Sequence, residues 1–83
     1  MPKGQKRSIP QGFGRGLKEL RTLKGLTQDD IALECGIDRS FISLIESGKK
    51  QPTITTIVSI AAALEVKPSE LVKVMEQYLD KNK

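Results

Sequence analysis

The stretch Thr27-Gln28-Asp29-Asp30-Ile31-Ala32-Leu33-Glu34-Cys35-Gly36-Ile37-Asp38-Arg39-Ser40-Phe41-Ile42-Ser43-Leu44-Ile45-Glu46-Ser47 decides the reading of this chain. Thr27, with Asp30 three residues on, has the form of a capping box and opens a short helix whose inner face is Ile31, Ala32 and Cys35. Gly36 stops it where the backbone needs a positive φ, which glycine adopts without a Cβ penalty. Ala32, four residues earlier, is small enough to let two helices cross closely. Asp38 stands in the N-cap position of the next helix, which runs to Gly48, and Ile37, Ile42 and Ile45 seal the junction. The segment therefore reads as helix, tight turn, helix.

Outward from this pair, the periodicity stays helical. Phe13, Leu17, Leu20 and Leu23/Lys24 recur at helical spacing, with Gly14 and Gly16 weakening that first helix and Gly25 ending it in the left-handed cap position. Lys49–Pro52 is a loop. Thr53 caps a fourth helix with an i, i+3, i+4, i+7 stripe of Ile57, Ile60, Ala61 and Leu64. Glu65 stands at its end, where a Gly or Asn often sits, so the turn into Val66 should be strained or rearranged. Pro68 fits the first turn of a fifth helix over Ser69–Leu79, with Glu70 near its positive end. Residues 1–11, with Pro2, Gly4 and Pro10, read as a flexible basic arm, and residues 12–83 as a single domain. The expected fold is all-α, a compact arrangement of five short helices.

The composition narrows what such a domain can do. Among 83 residues there is no Trp, one Tyr and two Phe, so the core is aliphatic. A core this small supplies on the order of 3–5 kcal/mol, which favours dimerisation as support. One Cys excludes an internal disulfide, and the absence of His removes the usual general base and the commonest metal ligand. These counts point away from an enzyme, and no metal or cofactor is expected. No apolar run is long enough to span a membrane, and the basic N-terminus lacks the apolar stretch of a signal peptide, so a soluble cytoplasmic protein is expected. The net charge of +4 is unevenly placed. Residues 1–25 hold Lys3, Lys6, Arg7, Arg15, Lys18, Arg21 and Lys24 against Glu19, while Asp29, Asp30, Glu34, Asp38 and Glu46 outweigh Arg39 in the helix pair, and Lys49 and Lys50 follow it. A basic arm and an isolated basic loop suit a polyanion, nucleic acid being the commonest, although a solubilising tail has the same composition.

The geometry of Thr27–Ser47 is that of a helix-turn-helix, whose second helix enters the DNA major groove; short helix pairs also occur in proteins that never touch DNA. Leu20, Arg21, Gly25-Leu26-Thr27-Gln28, Ile31-Ala32, Gly36-Ile37, Ser40, Ile42-Ser43, Ile45-Glu46, Gly48, Pro52 and Ala61-x-Ala63-Leu64 closely resemble the lambda-repressor-like (Cro and Xre type) helix-turn-helix family over about residues 13–72. That resemblance implies a five-helix, dimeric, sequence-specific DNA-binding transcriptional regulator of bacteria or phage, a repressor or controller protein on a palindromic operator. It makes Gln28, with Thr27 beside it, a phosphate clamp at the start of the second helix. It makes Arg39, Ser40, Ser43 and Leu44 the base-reading positions, and the helical wheel agrees, turning Ser47 outward with them. Arg39 can grip guanine bidentately, or it pairs with Asp38 or Asp29. Leu44 either packs on a thymine methyl or covers the second helix. Phe41 either presses on the DNA backbone or is partly buried. Lys49 and Lys50 match the family's phosphate-contacting loop, whereas Ser47 replaces a larger polar residue. Arg21 and Glu46 match a partly buried structural salt bridge.

The fifth helix carries Leu71, Val72, Val74, Met75, Tyr78 and Leu79, more apolar surface than one inward stripe needs. Leu71, Val72, Met75, Tyr78 and Leu79 are accordingly the expected interface of a two-fold homodimer. The competing reading is an antitoxin-type protein whose main partner is a toxin, with secondary DNA binding.

Overall fold

A computed structural model describes residues 8–79. They form five helices, α1 (Ile9–Leu23), α2 (Gln28–Cys35), α3 (Arg39–Glu46), α4 (Ile54–Leu64) and α5 (Pro68–Leu79), with no strand among the described residues. Several boundaries have a local cause. Thr27 accepts a bond from the Asp30 amide while the Asp30 carboxylate accepts one from the Thr27 amide, and Thr53 Oγ1 accepts from the Thr56 amide. Gly25 and Gly36 follow α1 and α2 at φ 72° and 70°, where an L side chain would be strained. Glu65 ends α4 at φ 60°, the one non-glycine residue at positive φ among the described residues, as its position implied. Asp38 holds the N-cap position of α3 with extended backbone, but its side chain makes no capping bond.

The first helix starts earlier than expected. The arm assigned to residues 1–11 gives way at Ser8, whose Oγ accepts from the Gln11 amide while Gln11 Oε1 accepts from the Ser8 amide. This is a second capping box, and Pro10 sits inside the first turn, where its missing N–H leaves no bond unmade. The basic residues Lys3, Lys6 and Arg7 of the expected arm lie outside the described residues. At the other end, Leu23 does not complete the inner stripe. It is 74% exposed in the last turn of α1, and Leu20 is half-buried.

Phe13, Leu17, Ile31, Ala32, Ile42, Ile45, Ile60, Ala61, Leu64 and Leu71 form one core to which all five helices contribute. Two small-residue contacts bring the helices together. Cβ atoms at Gly12 and Gly16 would lie against Leu79, Met75 and Val74, so α5 lies directly on α1. A Cβ at Gly14 would lie 2.6 Å from the Glu46 carbonyl oxygen and closer still to that of Ile45, so the end of α3 lies on the α1 backbone. This packing engages part of the expected α5 interface within the chain. Leu71 is fully buried within the chain, and the side chains of Leu79 and Val74 and the backbone of Met75 lie on the glycines of α1. Of the apolar residues on α5, Leu71 alone is fully buried, Val74, Met75, Tyr78 and Leu79 are half-buried, and Val72 is exposed.

Candidate nucleic-acid interface

Ile42 and Ile45 anchor α3 from below, each with no exposed surface. Their helical phase turns Arg39, Ser40, Ser43 and Leu44 to solvent, together with Ser47 at the C-cap. Leu44 is 36% exposed, and Phe41 is half-buried against the core. The loop after α3 folds back onto it, with the Lys49 and Lys50 amides both donating to the Leu44 carbonyl at 2.9 and 3.2 Å. The Ser47 hydroxyl donates to the same carbonyl at 3.0 Å. Both lysine side chains are thereby held exposed beside the end of α3.

Arg39 Nε lies 3.5 Å from Asp29 Oδ1, with both side chains well exposed. An exposed pair of this kind contributes about 0–1 kcal/mol, too little to hold Arg39 away from a stronger ligand. The contact engages Nε, and among the described residues neither terminal nitrogen of Arg39 is hydrogen-bonded. Those two nitrogens form the fork that matches guanine O6 and N7.

Behind α3, Arg21 donates through Nε to Glu46 Oε2 at 2.6 Å and through Nη2 to Oε1 at 3.1 Å, while Nη1 donates to the Leu26 carbonyl at 2.8 Å. The hydrogen bonds to Glu46 raise the Arg21 pKa against the opposing effect of burial. Gln28 Nε2 also donates to Glu46 Oε1, at 2.9 Å. The pairing of Arg21 with Glu46 was expected, whereas the tie to Gln28 was not. It leaves Gln28 one amide hydrogen for another acceptor and fixes where that hydrogen is presented. Thr27 has its amide and its hydroxyl oxygen committed to the capping box. Those bonds hold the Asp30 carboxyl below its usual pKa, chiefly through the Thr27 amide. Cys35 is half-buried, and burial, followed by Glu34, pushes its thiol pKa up. A raised pKa leaves little thiolate for nucleophilic chemistry.

The structure adds two features that were not anticipated. Gln11, Arg15 and Lys18, at i, i+4 and i+7 on α1, line a cleft of about 400 Å³ with Glu46 and Ser47 at the end of α3. Their spacing was a readable sign of a shared face, but nothing local said that α3 ends against it. An apolar groove of about 440 Å³ is lined by Ile9 and Phe13, by Pro52, Ile54 and Ile57, and by Val72 and Met75. Ile9 and Ile54 are 57% and 74% exposed there.

The sequence pattern of the helix-turn-helix family matches residues 17–71. The chain is 40% identical to the restriction-modification controller protein C.AhdI of Aeromonas hydrophila, whose crystal structure superimposes with a TM-score of 0.73 over 75% of this chain and 94% of that one. An HTH-type transcriptional regulator of Sinorhizobium fredii, y4dJ, is 37% identical over 71% of this chain and 77% of its own. The controller protein C.Esp1396I, solved as a tetramer on its natural 35 base-pair operator, is 27% identical with a TM-score of 0.79, covering 89% of this chain and 97% of that one. No helix among the described residues is long and apolar enough to cross a membrane.

Proposed function

The chain belongs to the lambda-repressor-like (Cro and Xre type) helix-turn-helix family, and from that premise we propose that it binds duplex DNA as a homodimer and regulates transcription from a palindromic operator. The observation that carries this reading is the outward strip of α3, in which Arg39, Ser40, Ser43 and Leu44 stand exposed on a helix fixed by Ile42, Ile45 and the Arg21–Glu46–Gln28 network. A rigid helix with a polar, solvent-facing strip suits the major groove, where base edges present a distinct donor and acceptor pattern. Arg39 reads guanine, Ser40 and Ser43 adapt to either neighbour, and Leu44 meets a thymine methyl. Gln28, Lys49 and Lys50 hold phosphates on either side, with Phe41 and Ser47 at the margin. Two copies of α3 enter successive major grooves about 34 Å apart, which makes the operator a near-palindrome. The protein acts in the cytoplasm, by binding rather than catalysis.

The two copies meet through the groove between α1, α4 and α5 rather than through the whole outer face of α5. Val72 and Met75 of the expected set line that groove, whereas Leu71 does not. Selection of bound duplexes from a random DNA pool tests the function. The expected product is a dyad-symmetric site on which Arg39→Ala costs about 1–3 kcal/mol and relaxes preference at one base pair per half-site. A pool without symmetry, or an Arg39→Ala variant equally weakened on operator and scrambled DNA, would overturn it.

A further inference from the structure

The charged cleft between α1 and the end of α3 has no part in base reading, yet it shares a wall with the helix that does. Its floor is Glu46 and Ser47, and its rim is Gln11, Arg15 and Lys18. Glu46 contributes little repulsion there, because Arg21 and Gln28 together occupy both of its oxygens. Arg15 and Lys18 make no ion pair among the described residues, in contrast to Arg21 and Arg39. The Arg15 guanidinium stands 5.8 Å from the centre of the Tyr78 ring, a contact that uses none of its N–H groups. Gln11 spends its Oε1 on the Ser8 amide, so the end of its side chain that remains is the NH2 donor. The cleft therefore offers two cations and an amide donor, with its one acid already neutralised.

We infer that this cleft seats phosphates of the DNA backbone just beyond the C-terminal end of α3, a contact that rests on the DNA-binding reading and extends it onto the first helix. Gly48, one residue past Ser47, lies directly against Gln11, so the cleft begins where α3 ends. Arg15 and Lys18 are about 4.5 Å apart along the helix axis, so their flexible side chains can serve neighbouring phosphates of one strand. A phosphodiester suits the site better than a carboxylate peptide, because the cations form a row along α1 rather than converging on one point. Such contacts carry no sequence information and add to affinity through counterion release.

The test compares wild type, the Arg15→Gln/Lys18→Gln double variant and Lys18→Gln alone on operator and scrambled duplexes between 50 and 200 mM salt. Each lost phosphate contact removes about 0.9 from the slope of log affinity against log salt, or about 3.5-fold over this range. Lys18→Gln should thus reduce the salt-induced loss by about 3.5-fold, and the double variant by about 12-fold, equally on both duplexes. Lys18→Gln guards against a folding defect in the double variant, since it leaves the Arg15–Tyr78 contact intact. Lys24→Gln, at the end of α1 and outside the cleft, should leave the slope unchanged. An unchanged slope in Lys18→Gln, or an equal loss in Lys24→Gln, overturns the phosphate seat while DNA binding stands. A wild-type protein that binds neither duplex overturns the DNA-binding reading itself.

Discussion

Arg21 brings all three guanidinium nitrogens to bear on protein acceptors, two on Glu46 and one on the Leu26 carbonyl. Glu46 is 9% exposed and also holds Gln28, so one carboxylate ties α1, α2 and α3 together. The net value of such a pair over an apolar replacement is small, but the loss of one partner leaves the other charged and desolvated. Arg21→Ala should therefore destabilise the fold by roughly 3 kcal/mol in denaturant titration, while leaving the base preference of whatever protein remains folded unchanged. Arg21→Lys should recover only part of this, because an ammonium cannot reproduce the fork that spans both Glu46 oxygens. Unaltered stability with lost binding would make Arg21 a direct DNA contact instead.

The capping box of α2 gives a prediction with a sign that follows from its bonds. Asp30 is charged when it accepts from the Thr27 amide, and that bond lowers its pKa in the folded state. A depressed folded pKa contributes stability above the unfolded value, and the contribution is lost as pH falls. Wild type should therefore melt above Asp30→Asn at neutral pH, and the gap should close on acidification below about pH 4. Thr27→Ala, which removes the hydroxyl acceptor, should cost about 1 kcal/mol. A gap that persists at low pH would show that Asp30 acts by something other than its charge. Local signals of this kind made most of the fold readable: Thr27 with Asp30, Thr53, Gly25 and Gly36 mark helix ends through bonds and dihedrals that span four residues or fewer. The start of α1 is also encoded, as Ser8-x-x-Gln11, but Pro10 beside Pro2 and Gly4 has the local look of a breaker although it occupies a first turn that tolerates it. The roles of Gly12, Gly14 and Gly16 had no local sign, because what they accommodate are the atoms of α3 and α5, distant in sequence. The outward strip of α3 followed from its period. The tie between Gln28 and Glu46 depended on how closely two helices approach, which no period encodes.

In the proposed dimer, closure of α5 onto α1 limits where a second copy can bind. Gly12 and Gly16 admit Met75, Val74 and Leu79 so closely that charge placed on that face would open the domain before it opened a dimer. The apolar surface left outside is elsewhere: Ile9, Ile54, Val58 and Val72 are 57%, 74%, 49% and 36% exposed, and all but Val58 line the groove between α1, α4 and α5. A stable interface covers on the order of 1,200–2,000 Å² in total, so a two-fold patch must extend beyond the groove, and Val58, one turn along α4 from Ile54, extends it. In the proposed dimer, burying these four side chains against their symmetry mates would supply the hydrophobic stabilisation that one small core lacks. Ile54→Glu/Val58→Glu changes exposed residues only and should leave a cooperatively melting monomer in sedimentation. That monomer should bind single half-sites but lose most of its affinity for the full operator, since two linked half-sites bind far more tightly than either alone. By contrast, Val74→Lys/Leu79→Lys, whose side chains lie on Gly16 and Gly12, should lower the melting temperature first. A double variant at Ile54 and Val58 that still sediments as a dimer would move the interface off this groove, and Leu33, 84% exposed on α2, would be the next apolar position to change.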